Sequence, residues 1–285
     1  MSLRISGATR VAGVVGAPVT HSISPILHNA WIAAAALDAV YVAFAPTTEA
    51  FPSFVAGMRG GAVKGLNVTA PFKEQALAAS DTASSRAVEA GAANVLVFEA
   101  DGRIVADNTD GVGLLSAFAE QAPSFAAGRG PVVLVGAGGA ARGAATALLA
   151  AGAPEIRIVN RSAERAQALA GLLGPRSVCF DWSDAARAFD GASAIINATP
   201  AGRDGDAGLA LPLGEASADA VVMDMTYRPL ITPWLRQAQA RGLAIVDGLA
   251  MLIGQAAPSF EAFFGVAPPA IDIRAAALDF LEGRG

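Results

Sequence analysis

The chain has 285 residues, 53% hydrophobic and 16% charged, which suits one large or two ordinary domains with a buried sheet and excludes a disordered chain. A formal charge of −5 argues against nucleic acid or an anionic membrane as the main partner, yet leaves room for a local basic cluster facing a small anion. A single cysteine excludes an internal disulfide and fits a reducing cytoplasm, and with only two histidines, His21 and His28, no metal site is expected.

In chain order, MSLRISGATRVAGVVG lacks the long apolar run and cleavage signal of a secretory peptide, and VAGVVG (11–16) reads as a strand. SPILHNAWIAAAALD (24–38) is a helix, with Ser24 as N-cap and Pro25 in the first helical position. A strand at 40–45, a helix near 49–58 and a strand at 63–69 follow, and Pro71 opens the next helix. NVLVFEADGRIVADN reads as a hairpin turned by Asp101-Gly102. A helix near 111–121 leads into the soft stretch APSFAAGRGP (122–131), the strongest local candidate for a domain boundary. A cleaner β-α-β run comes next: PVVLVG, EIRIV, SVCF, SAIINATP, AVVMDM and LAIVDG, with helical segments between them, and Cys179 as a small core residue on one strand. Two helices close the chain from Gly248, and periodicity alone leaves open which domain they join. Strands alternating with helices imply an α/β fold with a mainly parallel sheet. Every longer apolar stretch is interrupted by Asp, Arg, Gly or Pro before it could span a bilayer.

VVLVGAGGAARGA holds Gly136-Ala137-Gly138-Gly139-Ala140-Ala141, a G-x-G-x-x-A pattern directly after an apolar strand and at the start of a helix. Gly136 suits the tight turn, Gly138 the close approach of a pyrophosphate, and Ala141 the packing of helix on strand, while the helix N-terminus offers unpaired N–H groups to phosphate. About 20 residues on, where an acid would bind a ribose 2′-hydroxyl, the next strand ends in Asn160-Arg161-Ser162. Arg161, with Arg165 four residues later on the same helix face, replaces that acid with positive charge, which points to NADP rather than NAD.

In the first half, HSISP (21–25), NVTAPFK (67–73), GAAN (91–94) and NTDG (108–111) place polar groups at strand ends and helix starts. Ligands of parallel sheets bind beyond the carboxyl ends of the strands. Ser22, Ser24, Asn67, Thr69 and Asn94 suit a polyhydroxylated ligand, and Lys73 and Asp110 are the titratable pair. A hydride acceptor beside such a pair suggests alcohol–ketone chemistry, because alcohol oxidation needs a base for the hydroxyl proton.

Together GAPVTHSISPILHNAW, GLNVTAPFK, GAANVLVFEADGRIVADNTDG, VGAGGAARG, NRSAER, INATPAG, DMTYRPLITP and DGLAMLIGQAA resemble the shikimate dehydrogenase family nearly end to end. The resemblance implies a two-domain α/β fold. It has a substrate domain at 1–110, a Rossmann-like NADP domain at 111–247, and helices at 248–285 that return to the substrate domain. It implies Lys73 as the acid/base held by Asp110, and Ser22 and Ser24 at the substrate carboxylate. Asn67, Thr69, Asn94, Tyr227 and Gln255 would complete the substrate pocket. Gly136, Ala137, Gly138, Gly139, Ala140, Asn160, Arg161, Ser162 and Arg165 would hold NADP(H), with Met225 and Gly248 on the nicotinamide side. It further implies a cytoplasmic enzyme of aromatic amino-acid biosynthesis, monomeric or homodimeric, acting on shikimate and 3-dehydroshikimate. Two departures stand out: Ser85 lies where relatives often carry an acid, and INATPAG replaces Asn-Ala-Thr-Ser-Ser-Gly. A quinate/shikimate dehydrogenase using NAD is disfavoured by the Ser22/Ser24 pair and Arg161. A non-enzymatic ligand sensor is disfavoured by the retained Lys73 and Asp110, and a folate or amino-acid dehydrogenase of the same fold lacks the Ser-x-Ser and N-T-D-G segments.

Overall fold

The computed structural model describes residues 5–203 and 208–283. They form two compact units, Met1–Thr109 with Gln255–Gly285, and Asp110–Gly254.

The first unit runs β1 (Arg10–Val15), α1 (Ser24–Ala34), β2 (Ala39–Phe44), α2 (Phe51–Ala56), β3 (Val63–Val68), α3 (Lys73–Ala78), β4 (Thr82–Ala83), α4 (Ser85–Ala90), β5 (Val95–Phe98) and β6 (Ile104–Asp107). Its sheet has the order β2-β1-β3-β5-β6-β4. The β1–β2, β1–β3 and β4–β6 ladders are parallel, and β3–β5 and β5–β6 are antiparallel. The β5–β6 ladder is the Asp101-Gly102 hairpin, where Gly102 takes φ +85°. α1 begins one residue earlier than expected: Ser24 is its first residue, and Ile23 is the N-cap without a side-chain bond. The Ser22 hydroxyl instead accepts from the Ser24 N–H at 3.3 Å, so Ser24 Oγ is not spent on capping. Pro71 does not open α3; the helix starts at Lys73, two residues later. One face of the sheet packs on Phe51 and Phe72, stacked at 4.4 Å, with Leu66, Val68, Leu96 and Ile104.

The second unit runs α5 (Asp110–Gln121), β7 (Val132–Val135), α6 (Gly139–Ala150), β8 (Ile156–Val159), α7 (Ala163–Leu173), β9 (Ser177–Phe180), α8 (Ala185–Phe189), β10 (Ala194–Asn197), β11 (Val221–Asp224), α9 (Pro233–Ala240) and β12 (Ala244–Val246). α10 (Gly248–Phe264) belongs to it through Gly254; the rest of α10, and α11 (Ile273–Leu281), belong to the first unit. All ladders of its sheet are parallel, in the order β12-β11-β10-β7-β8-β9. That is the doubly wound 3-2-1-4-5-6 order, with its reversal between β7 and β10. Alternate residues of β7, Val132 and Leu134 against Val133 and Val135, enter separate cores on the two faces, which explains the unbroken apolar strand sequences.

The soft stretch at 122–131 is not the seam. α5 joins the core of the second unit through Leu114, Ala117 and Phe118, and a Cβ on Gly111 would come within 2.3 Å of Ala147 Cβ on α6. The division therefore falls before α5. Gly248–Gly254, expected with the returning helices, also sits in the second unit: a Cβ on Gly248 would meet the Met225 carbonyl oxygen at 2.4 Å. Cys179 is not a core residue; it lies exposed on β9, which among the described residues is an edge strand paired with β8.

Candidate functional site

In the first unit the polar motifs gather where β1, β3 and β6 end. The Thr69 N–H donates to the Val15 carbonyl at 2.9 Å, which seats the NVTAPFK segment beside β1. A Cβ on Gly16 would come within 2.3 Å of Thr69 Cγ2, so the small residue there admits the threonine. Lys73 is the first residue of α3, and its carbonyl accepts from the Ala93 N–H at 2.8 Å, tying GAAN to the helix start. A lysine in the first turn of a helix gains nothing from the helix dipole.

Asn94 (2% exposed), Thr109 (1%) and Gln255 (9%) form a buried clamp. Asn94 Oδ1 accepts from the Thr109 N–H at 2.7 Å, and Asn94 Nδ2 donates to Thr109 Oγ1 at 3.0 Å and to Gln255 Oε1 at 3.1 Å. The Thr109 hydroxyl also lies 3.1 Å from the Gln255 carbonyl oxygen. Sequence reasoning named Asn94 and Gln255 but passed over Thr109, although it stands inside the N-T-D-G segment.

Asn67 is engaged within the unit. Tyr41 Oη donates to its Oδ1 at 2.8 Å, and its Nδ2 donates to Ser259 Oγ at 2.8 Å and to the Asn94 carbonyl at 3.4 Å. Behind this row His28, fully buried, stacks on Tyr41 with ring centroids 4.0 Å apart. Burial pushes the His28 pKa down from 6.5 to about 3, so the imidazole is neutral at ordinary pH.

In the second unit the phosphate-loop pattern sits at the reversal of strand order. Gly136 takes φ +114°, and a Cβ there would crowd Thr199 Cγ2 at 3.0 Å and the Ala198 carbonyl oxygen at 3.1 Å. Gly138, the N-cap of α6, has no side-chain cap, and a Cβ there would meet nothing within 4 Å. The bare helix N-terminus and the open space in front of it fit a pyrophosphate. Ala141 is fully buried in the core beneath. At the end of β8, Asn160 Nδ2 donates to the Ser162 carbonyl at 2.8 Å, and the Ser162 hydroxyl caps α7 by accepting from the Arg165 N–H at 3.3 Å. Arg161 and Arg165 are exposed and form no ion pair among the described residues. Two guanidinium groups without carboxylate partners fit an anion that arrives from solution.

A buried polar network spans the loops after β10 and β11. Asp224 accepts from Asn197 Nδ2 at 3.0 Å, from the Thr226 N–H at 2.9 Å and from Thr232 Oγ1 at 2.8 Å. Burial pushes its pKa up, against the pull of these hydrogen bonds. Asn197 Oδ1 in turn accepts from the N–H and hydroxyl of Thr199, the residue beside Gly136. The network thus holds 198–201 and the start of the Met225–Tyr227 loop, which also abuts Gly248. Asp224 and Asn197 were not singled out from the sequence; a lone Asp at the end of an apolar strand carries no local signal. Asp110 is the first residue of α5, where the helix N-terminus favours a carboxylate. Among the described residues no three His, Cys, Asp or Glu side chains group as metal ligands.

Three family signatures match in order: a shikimate dehydrogenase substrate-binding domain over residues 14–96, a shikimate/quinate 5-dehydrogenase domain over 119–203, and a shikimate 5′-dehydrogenase C-terminal domain over 248–278. An NADP(+) shikimate dehydrogenase of Caulobacter vibrioides is 56% identical over 282 residues, covering 99% of both chains. The chain belongs to the shikimate dehydrogenase family. A solved shikimate 5-dehydrogenase of Thermus thermophilus, in complex with NADP(H) and shikimate, is similar with a TM-score of 0.84 and 35% identity, covering 94% of this chain and 98% of that one. A quinate dehydrogenase of Corynebacterium glutamicum in complex with NAD is similar at a TM-score of 0.86 and 29% identity, covering 95% and 99%. The fold is therefore shared across the family's cofactor choices, and any preference of this chain must be read from its own side chains at the end of β8.

Proposed function

We propose that the protein is a shikimate dehydrogenase: it interconverts 3-dehydroshikimate and shikimate with NADP(H), in the route to chorismate and the aromatic amino acids. Full-length kinship to an NADP(+) enzyme supports the activity, and the observation that carries the cofactor choice is Arg161 with Arg165 in place of an acid at the end of β8. The first unit is the substrate domain. Ser22 and Ser24 bind the carboxylate, and Thr69, Asn94, Tyr227 and Gln255 complete the substrate pocket. Asn67, oriented by Tyr41, Ser259 and the Asn94 carbonyl, belongs to the same pocket. In the second unit Gly136 to Ala140 hold the pyrophosphate, Asn160, Arg161, Ser162 and Arg165 hold the adenosine 2′-phosphate, and Met225 and Gly248 border the nicotinamide.

Bound NADP supplies the hydride acceptor. In the oxidation direction the Lys73 amine takes the proton of the reacting hydroxyl as hydride leaves the carbon; in reduction the ammonium returns it. Asp110 orients that amine and a neighbouring hydroxyl. A single exposed cysteine supports a cytoplasmic setting.

Initial rates crossing shikimate and quinate with NADP and NAD test the reading. Turnover confined to shikimate with NADP is expected. Comparable rates with quinate or NAD would move the chain to the broader quinate/shikimate class, and ligand binding without turnover would favour a sensor. Lys73→Ala should lose turnover by roughly 10²- to 10⁴-fold with NADP affinity retained; full activity there would remove Lys73 from the chemistry.

A further inference from the structure

Arg161 is asked to meet a phosphate, yet it is exposed and joins no carboxylate among the described residues. A long side chain in that position spreads over many rotamers, and ordering it on binding costs affinity. Among the described residues it has one partner. Its guanidinium carbon lies 6.0 Å from the ring centroid of Trp182, over the ring.

The sheet register explains this pairing. β8 and β9 are parallel, with Val159 opposite Phe180. Arg161 is two residues beyond Val159, and Trp182 is two residues beyond Phe180, so both leave the sheet side by side. Trp182 opens the short 3-10 turn 182–184 and is half-buried, its ring packed with Phe180 against the core on that face of the sheet. The nearby Asp184 is occupied with Arg187 at 3.5 Å. A half-buried aromatic face is thus set beneath an exposed cation, and Trp is the strongest of the aromatic partners for a guanidinium.

We infer that Trp182 is a specificity-determining positioning residue: its ring holds the Arg161 guanidinium at the end of β8, preorganised for the 2′-phosphate of NADP. The inference rests on the proposed cofactor reading. Trp182 acts through Arg161 and touches no reacting atom. Preorganisation strengthens only the contact that uses the arginine, so the effect falls on ligands that carry the 2′-phosphate and spares those that do not.

The test compares wild type, Trp182→Phe, Trp182→Leu, Arg161→Ala and the double variant Arg161→Ala/Trp182→Leu. Calorimetry reads the affinity of each for adenosine 2′,5′-bisphosphate and for adenosine 5′-monophosphate, beside the NADP-to-NAD ratio of kcat/KM. Leucine keeps apolar bulk against the core but has no ring, and it should lower the bisphosphate preference by about three- to tenfold. Phenylalanine should keep most of it. In the Arg161→Ala background the leucine should change nothing further. Equal weakening of both nucleotides by leucine, or the same loss of preference with Arg161 already removed, would overturn the inference. A wild type without preference for the bisphosphate would overturn the cofactor reading itself, and this inference with it, before any variant is measured.

Discussion

The buried imidazole of His28 makes a quantitative prediction about acid stability. The side chain is fully buried between Tyr41, Trp31 and Phe260, and neither ring nitrogen has a hydrogen-bond partner. Its pKa is held at about 3, against 6.5 when free. The folded state therefore binds this proton less readily than the unfolded chain, and stability is lost as pH falls below 6.5, down toward the folded value. Linkage over that interval gives about 2 kcal/mol lost between pH 7.5 and pH 5 from this one group. Tyr41, stacked on it, has its pKa raised by burial and does not titrate in this window. His28→Leu removes the titration. Its costs in shape and packing are the same at every pH and cancel in the comparison. Chemical denaturation of wild type and variant across this pH range should show the variant gaining about 2 kcal/mol relative to wild type on acidification. A difference that stays constant with pH would mean that His28 can be charged in the folded protein, and would refute the assignment of a dry, unpaired imidazole.

Arg161→Ala should weaken NADP about 10- to 100-fold, the range of a charge-assisted bond, and leave NAD nearly unchanged; fluorescence titration of both cofactors decides, and equal losses would make the arginine structural. Thr109→Val keeps the shape of the clamp but removes the hydroxyl 3.0 Å from Asn94 Nδ2. Steady-state rates should show the KM for shikimate raised roughly tenfold, with Thr109→Ser restoring it; a wild-type KM in the valine variant would deny the clamp a role in binding. Gly65→Ala would place a Cβ 2.2 Å from the Phe263 ring and 2.8 Å from the Leu96 carbonyl oxygen. Thermal unfolding should report a loss of about 1–3 kcal/mol.

Which parts of the fold were legible follows from which signals are local. The Asp101-Gly102 hairpin, the G-x-G-x-x-A turn and the apolar strands of the second sheet are written in consecutive residues, and the structure shows each. Local composition alone points to a seam at 122–131, because a loop rich in Gly, Ala and Pro looks like a linker wherever it lies, whereas the division falls between Thr109 and Asp110, next to the boundary the resemblance implied. What places α5 in the second unit is the fit of Gly111 against Ala147, two residues far apart in the chain. Cys179 was misread for a related reason: an apolar stretch predicts a strand, while only the pairing of strands shows that β9 is an edge.

The site divides along the same line. Motifs named the candidate ligand residues, since those sit at strand ends in recognisable clusters. The residues that hold them in place were hidden, because their partners are distant: Tyr41 and Ser259 for Asn67, Gln255 for Thr109, Thr232 for Asp224. A buried carboxamide or carboxylate is costly unless each polar atom is matched. Asn67, Asn94 and Asp224 are each matched through several bonds, so each has one stable orientation rather than several. That fixes Thr199 beside Gly136 in one unit and Gln255 beside Asn94 in the other. Preorganisation of this kind lowers the cost of binding. At the end of β8 the Arg161 and Arg165 side chains face solvent, and among the described residues the Arg161 guanidinium has the Trp182 ring as its contact.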